Sequence, residues 1–219
     1  MTFKQYEKVI ADWAAVKVAS INEALFTGKK PKDFKTPYFP MLLDRFKSVS
    51  DSFEAMKFSL TLLESEFPAS SRIKKEQYLE YIVHAFYSDC YVLKELLKGY
   101  ANQIQKVYIK KLVDVPVKST LEPIFKALSN DIEVLMDIRN AHVHQDRFKG
   151  GGLSDLSGLA LLAQYDSSLS AISDEAFEIV LQTWRDYMSR IIELYTWLLD
   201  DAFDCIAKVV VENGVVREP

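Results

Sequence analysis

From Arg72 to Leu112 the chain reads RIKKEQYLEYIVHAFYSDCYVLKELLKGYANQIQKVYIKKL. Apolar side chains recur at Leu79, Ile82, Val83, Phe86, Cys90, Leu93, Leu97, Tyr100, Ile104, Val107 and Tyr108, mostly in steps of three and four. That is the period of one buried helix face, sustained far beyond the length of a strand. The stretch predicts a long helix over about 72–112, with Gly99 as the point where it kinks. On its N-terminal side the same period predicts a helix over about 2–26, carrying Phe3, Tyr6, Val9, Ile10, Trp13, Val16 and Leu25 and stopped by Gly28. A second follows over about 41–67, with Leu42, Phe46, Val49, Phe53, Met56, Leu60, Leu63 and Phe67, broken at Pro68. On the C-terminal side, Val113 to Lys118 holds Pro116 and reads as a loop. Ser119 or Thr120 then caps a fourth helix with Pro123 in its first turn. The fifth runs over about 174–211, with Ser173 as cap, Ile172 and Phe177 as a hydrophobic staple, and Gly214 past its end. Between the last two, the linker over about 148–171 opens with Gly150-Gly151-Gly152 and contains Leu159 to Leu162, and it reads either as a mobile flap at the end of the fourth helix or as a flexible connection with a short helical turn. The expected fold is all-α, an up-and-down helical bundle of about five long helices.

Composition agrees. Only 7 Gly and 7 Pro occur in 219 residues while nearly half are hydrophobic, which disfavours a turn-rich β fold and suits a single domain. Cys90 and Cys205 both fall inside helical patterns and have no disulfide-framework spacing, so reduced thiols in the cytoplasm are expected. Met1-Thr2-Phe3 turns amphipathic at once rather than resembling a signal peptide, and no uncharged apolar run approaches a bilayer span, so no membrane partner is expected. A net charge of −4 argues against a whole-molecule attraction to nucleic acid. Any RNA contact must therefore be local. Basic clusters stand at Lys29, Lys30, Lys32 and Lys35, at Arg72, Lys74 and Lys75, at Lys106, Lys110 and Lys111, and at Arg147 and Lys149.

Chemistry concentrates in Arg139-Asn140-Ala141-His142-Val143-His144, which holds two of the three histidines. Arginine presents a planar, permanently charged fork to a phosphate, and histidine exchanges protons near neutral pH. The stripe Leu121, Phe125, Leu128, Ile132 and Leu135, continued in its own steps, arrives at Arg139 and His142. A guanidinium there needs either a phosphate in a groove or an acid such as Asp137, Glu193 or Asp200. On an unbroken helix His144 stands about 140° around from Arg139. Either the helix ends near His142, or two chains share the site about a twofold axis.

Arg-Asn, three residues and His resembles the signature of the HEPN superfamily (higher eukaryotes and prokaryotes nucleotide-binding). Many members are small all-helical ribonucleases. The resemblance implies a HEPN-like four-helix core over about 72–211, an N-terminal helical extension over about 1–68, and one domain spanning 1–219. It also implies a homodimer with a composite site, RNA as substrate, no cofactor, and a toxin or phage-defence setting with an inhibitory partner protein. Carried onto this chain, His144 is the acid or base, Arg139 the phosphate clamp, and Asn140 the group that orients the histidine. His142 and Asp146 support them, and Arg147 and Lys149 hold a flanking phosphate. Members modified by a cognate nucleotidyltransferase tend to carry Tyr two residues after the His. Here that residue is Asp146, so the resemblance does not extend to silencing by adenylylation.

Two other readings stand beside this one. His142-x-His144-x-Asp146 has ligand types suited to zinc or iron, and His84 with Glu80 and Asp89 on the third helix offers further ligands. Alternatively the chain is a non-catalytic helical module that binds nucleotide, RNA or a protein through an aromatic face of Trp184, Tyr187, Tyr195 and Trp197.

Overall fold

The computed structural model describes residues 1–27, 38–67, 73–112, 115–130 and 152–218. The chain folds as an all-α helical bundle. Its helices are α1 (Phe3–Thr27), α2 (Phe39–Glu64), α3 (Lys75–Tyr108), α4 (Val117–Asn130), α5 (Leu153–Ala163) and α6 (Ser170–Val210). A short 3-10 turn, Ser167–Leu169, leads into α6, and β1 (Val211–Glu212) and β2 (Val215–Val216) follow it. Residues 113–114 and 131–151 lie outside the described residues, as does Gly28, the expected stop of the first helix.

The helices contribute to two compact units. The first takes α1, residues 39–51 of α2, residues 94–108 of α3, α4, and the chain from 196 onward. Its centre is aromatic: the Phe203 ring lies 4.9 Å from Tyr6, 5.0 Å from Phe3, 5.6 Å from Phe46 and 6.1 Å from Tyr100. These offset and edge-on arrangements suit the ring quadrupoles. Burying tyrosines there requires partners for their hydroxyls, and Tyr6 and Tyr100 supply each other at 2.7 Å, with Tyr100 also donating to the Leu42 carbonyl at 3.4 Å. Tyr6→Phe should therefore cost about 1 kcal/mol, read by denaturant titration, because Tyr100 keeps only its longer bond. An unchanged midpoint would show that the pair contributes nothing net.

The second unit takes residues 52–64 of α2, 75–93 of α3, α5 and 170–195 of α6. Phe67 packs edge-on against Tyr78 and Phe177, and Trp184 meets Tyr87 and Tyr187 in the same way. The Tyr195 hydroxyl donates to the Cys90 carbonyl at 3.1 Å. Arg185 donates through Nε (2.8 Å) and a terminal nitrogen to the Leu63 carbonyl, satisfying one of the open acceptors at the end of α2. Cys90 is buried and Cys205 half-buried, and both are free thiols.

Several local expectations change. Helix α3 is continuous from Lys75 to Tyr108, short of the expected bounds 72 and 112, and it includes Gly99, around which Leu97, Tyr100, Ala101 and Ile104 are all buried. Helix α4 starts at Val117, earlier than Ser119 or Thr120. Both hydroxyls instead donate to the Pro116 carbonyl, and Pro123 lies beyond the first turn. Its buried face is Val117, Leu121, Ile124 and Leu128, with Phe125 only half-buried. The expected linker carries helix α5 from Leu153, anchored by buried Leu153 and Leu156. Helix α6 likewise starts at Ser170, before the expected cap Ser173, which is buried inside it. Asp166 accepts instead from the Ser168 amide at 2.9 Å. Ile172 is exposed while Phe177 is buried, so they form no staple.

Gly152, before α5, has φ +81°, and a Cβ there would stand 2.9 Å from a Val180 methyl. Gly152→Ala meets both the left-handed penalty and a clash, and should cost roughly 1–2 kcal/mol or more in denaturation. A neutral effect would mean that the backbone relaxes there freely. Past α6, Asn213 (φ 52°) and Gly214 (φ 78°) form the tight turn of a two-residue hairpin, a turn type that needs positive φ at both positions. The hairpin sets down Glu218 against α1, where it accepts from Trp13 Nε1 at 3.0 Å and pairs with Lys17 at 2.7 Å. Hydrogen bonding to Lys17 holds its carboxyl below the usual range.

Candidate functional site

Arg139, Asn140, His142, His144, Asp146, Arg147 and Lys149 all lie outside the described residues. The described chain reaches Asn130 on one side of them and resumes at Gly152 on the other. Of the acids considered as partners for Arg139, Asp200 accepts the Phe3 amide at 2.8 Å and so serves the start of α1, and Glu193 is exposed. Asp137 is outside the described residues.

The third histidine is well defined. One turn apart on α3, His84 Nε2 and Glu80 Oε1 are 3.6 Å from each other, with each side chain about a fifth exposed (18% and 20%). Asp89 is also on α3, and burial raises its carboxyl pKa. Five residues separate it from His84, which turns it about 140° away on a regular helix. Glu80, His84 and Asp89 therefore do not converge. Among the described residues no group of three or more His, Cys, Asp or Glu side chains is placed to hold a metal ion.

The expected aromatic face divides. Trp184 and Tyr195 are buried, Tyr187 is half-buried, and Trp197 is 71% exposed. Two of the four side chains therefore belong to the core and only Trp197 is exposed. No protein-family model, curated protein or solved structure matches this chain. Its chemistry must therefore be argued from its own residues.

Of the basic clusters, Lys106, Lys110 and Lys111 are exposed at the end of α3. Near them is an open groove of about 330 Å³ lined by Ile109, Val115, Pro116, Val117, Lys118 and Glu122 among others. Lys75 is committed to Asp174 at 2.5 Å and lies over the Phe177 ring. Lys29, Lys30, Lys32, Lys35 and Arg72 are outside the described residues. Sequence reasoning placed Tyr6 and Tyr100 on apolar stripes but missed their mutual hydrogen bond. Two tyrosines at stripe positions were its only signal. Burial, first, raises both phenols well above their ordinary pKa, so they are neutral structural groups. Among the described residues no helix is long and apolar enough to cross a membrane.

Proposed function

We propose that this chain is a metal-independent endoribonuclease of the HEPN kind, acting as a homodimer with a composite site, in a toxin or phage-defence setting restrained by an inhibitory protein. The observation that carries this reading is Arg139-Asn140-x-x-x-His144 in an all-α chain. With 7 Arg, 3 His and 5 Asn in 219 residues, chance supplies Arg-Asn with a His at the family spacing roughly 0.007 times. The helical bundle is the architecture that the resemblance implies.

In this reaction the ribose 2′-OH attacks the adjacent phosphorus in line. His144 takes the 2′ proton or donates one to the leaving 5′ oxygen, and Asn140 orients it. Arg139 stabilises the charge gathering on the phosphorane oxygens, His142 and Asp146 support the histidine, and Arg147 and Lys149 hold a neighbouring phosphate. The products are a 2′,3′-cyclic phosphate and a 5′-hydroxyl. Deoxyribose lacks the nucleophile, so DNA survives. The test is incubation of the purified protein with mixed cellular RNA in excess chelator, followed by analysis of the product ends. Cyclic phosphates are expected; RNA that stays intact across varied substrates would sink the proposal.

A further inference from the structure

Helix α5 has more apolar surface than the described residues cover. Leu153 and Leu156 are buried, yet Leu161 and Leu162 are 53% and 57% exposed, and Tyr165 just beyond them is 87% exposed. Leu162 is nine residues from Leu153, which places it about 180° around the helix, on the side away from the core. A helix that is apolar on both sides is normally covered on both. On the next helix Ile172 and Ile179 are 54% and 61% exposed, and their spacing of seven puts them on one stripe. Beside Leu161, an indentation of about 210 Å³ opens between α5 and the start of α3, lined also by Lys74, Gln77 and Gln164.

The charge of this region is predominantly acidic, although Lys74 and Glu76 both line the indentation. Residues 153–184 contain Asp155, Asp166, Asp174, Glu175 and Glu178 and no Lys, Arg or His. Lys75 matches Asp174, and the other four acids stand at exposed positions. A net acidic stretch of exposed chain disfavours RNA and anionic lipid. It also disfavours a second copy of itself, since an isologous contact sets the same acids against each other. Exposed leucines on a net acidic stretch are complementary to a helix with one apolar and one basic face.

We infer that the outer face of α5 and the start of α6 form a docking surface for a basic amphipathic helix of a partner protein. Leu161, Leu162 and Tyr165 receive the apolar face, and Glu175 and Glu178 meet its lysines or arginines. The surface holds whether or not the chain cuts RNA.

The test uses the full chain and a helical peptide of leucine and lysine, beside its leucine and glutamate counterpart. The lysine peptide should bind with roughly micromolar affinity, weaken as salt rises, and lose about tenfold or more on Leu161→Ser with Leu162→Ser and on Glu175→Lys with Glu178→Lys. All four positions are exposed, so circular dichroism and melting should match the parent. Failure of the lysine peptide to bind, equal binding of the glutamate peptide, or indifference to both double variants overturns the inference. So does binding of anionic phospholipid vesicles or RNA that is lost on the leucine substitutions. Self-association abolished by the leucine substitutions would assign the face to a second copy instead.

Discussion

Phe203→Ala is expected to lower stability by about 3–5 kcal/mol, the largest loss for a single truncation in the described fold. Phe203 is fully buried, and its ring meets four others, Phe3, Tyr6, Phe46 and Tyr100, contributed by three different helices. Truncation removes ring contacts from all of them and leaves a cavity that rigid neighbours fill poorly. For a chain of this size the loss corresponds to a melting point lower by roughly 6–20 °C. Trp197→Ala is the matched control on the same helix. That indole is 71% exposed, and its loss should change stability by no more than about 0.5 kcal/mol. Denaturant titration of both variants decides the matter. Similar costs for the two would mean that the aromatic cluster does not organise this unit.

The helical faces that meet Phe203 were legible because periodicity reports burial directly. Of the stripe that predicted α3, Leu79, Ile82, Val83, Phe86, Cys90, Leu93, Leu97, Tyr100, Ile104 and Tyr108 are all buried. Only Val107 stands partly out of it. Signals that compete with packing were read less well. Ser119, Thr120 and Ser173 have the composition of caps, but their hydroxyls serve equally inside a helix, and apolar neighbours decided where the helices begin. Helix α5 was legible only as a short helical turn, for the opposite reason. Its leucines face both sides, so no amphipathic period marks it, and the glycines before it suggested a linker. Gly214 reads as a helix stop and not as the turn of a hairpin, because strands of two residues have too little alternation to show. Aromatic residues misled in a related way: Trp184 and Trp197 look alike in sequence, and only packing separates a core side chain from a surface one.

His144→Ala is expected to reduce RNA cleavage by about 10²–10⁴-fold, the loss that follows removal of a positioned acid or base. Arg139→Ala should lose about 10²–10³-fold by withdrawing charge stabilisation from the phosphorane. His142→Ala should lose less than either, because the proposal gives it only a supporting role. The pattern matters more than any one value. A chain that cuts through one histidine and one arginine loses nearly everything with either, and the double variant is scarcely worse than His144→Ala, since the two act on one transition state. A contaminating nuclease would ignore all three substitutions. A metal centre built on His142, His144 and Asp146 would instead lose activity to chelator in the parent protein and make Asp146→Ala as damaging as His144→Ala. Helix content and melting point must match the parent in each variant for the comparison to report on chemistry. With that established, equal rates for parent and His144→Ala would remove His144 from the mechanism. The HEPN reading would go with it, because no other histidine in the chain keeps the motif's spacing from Arg139.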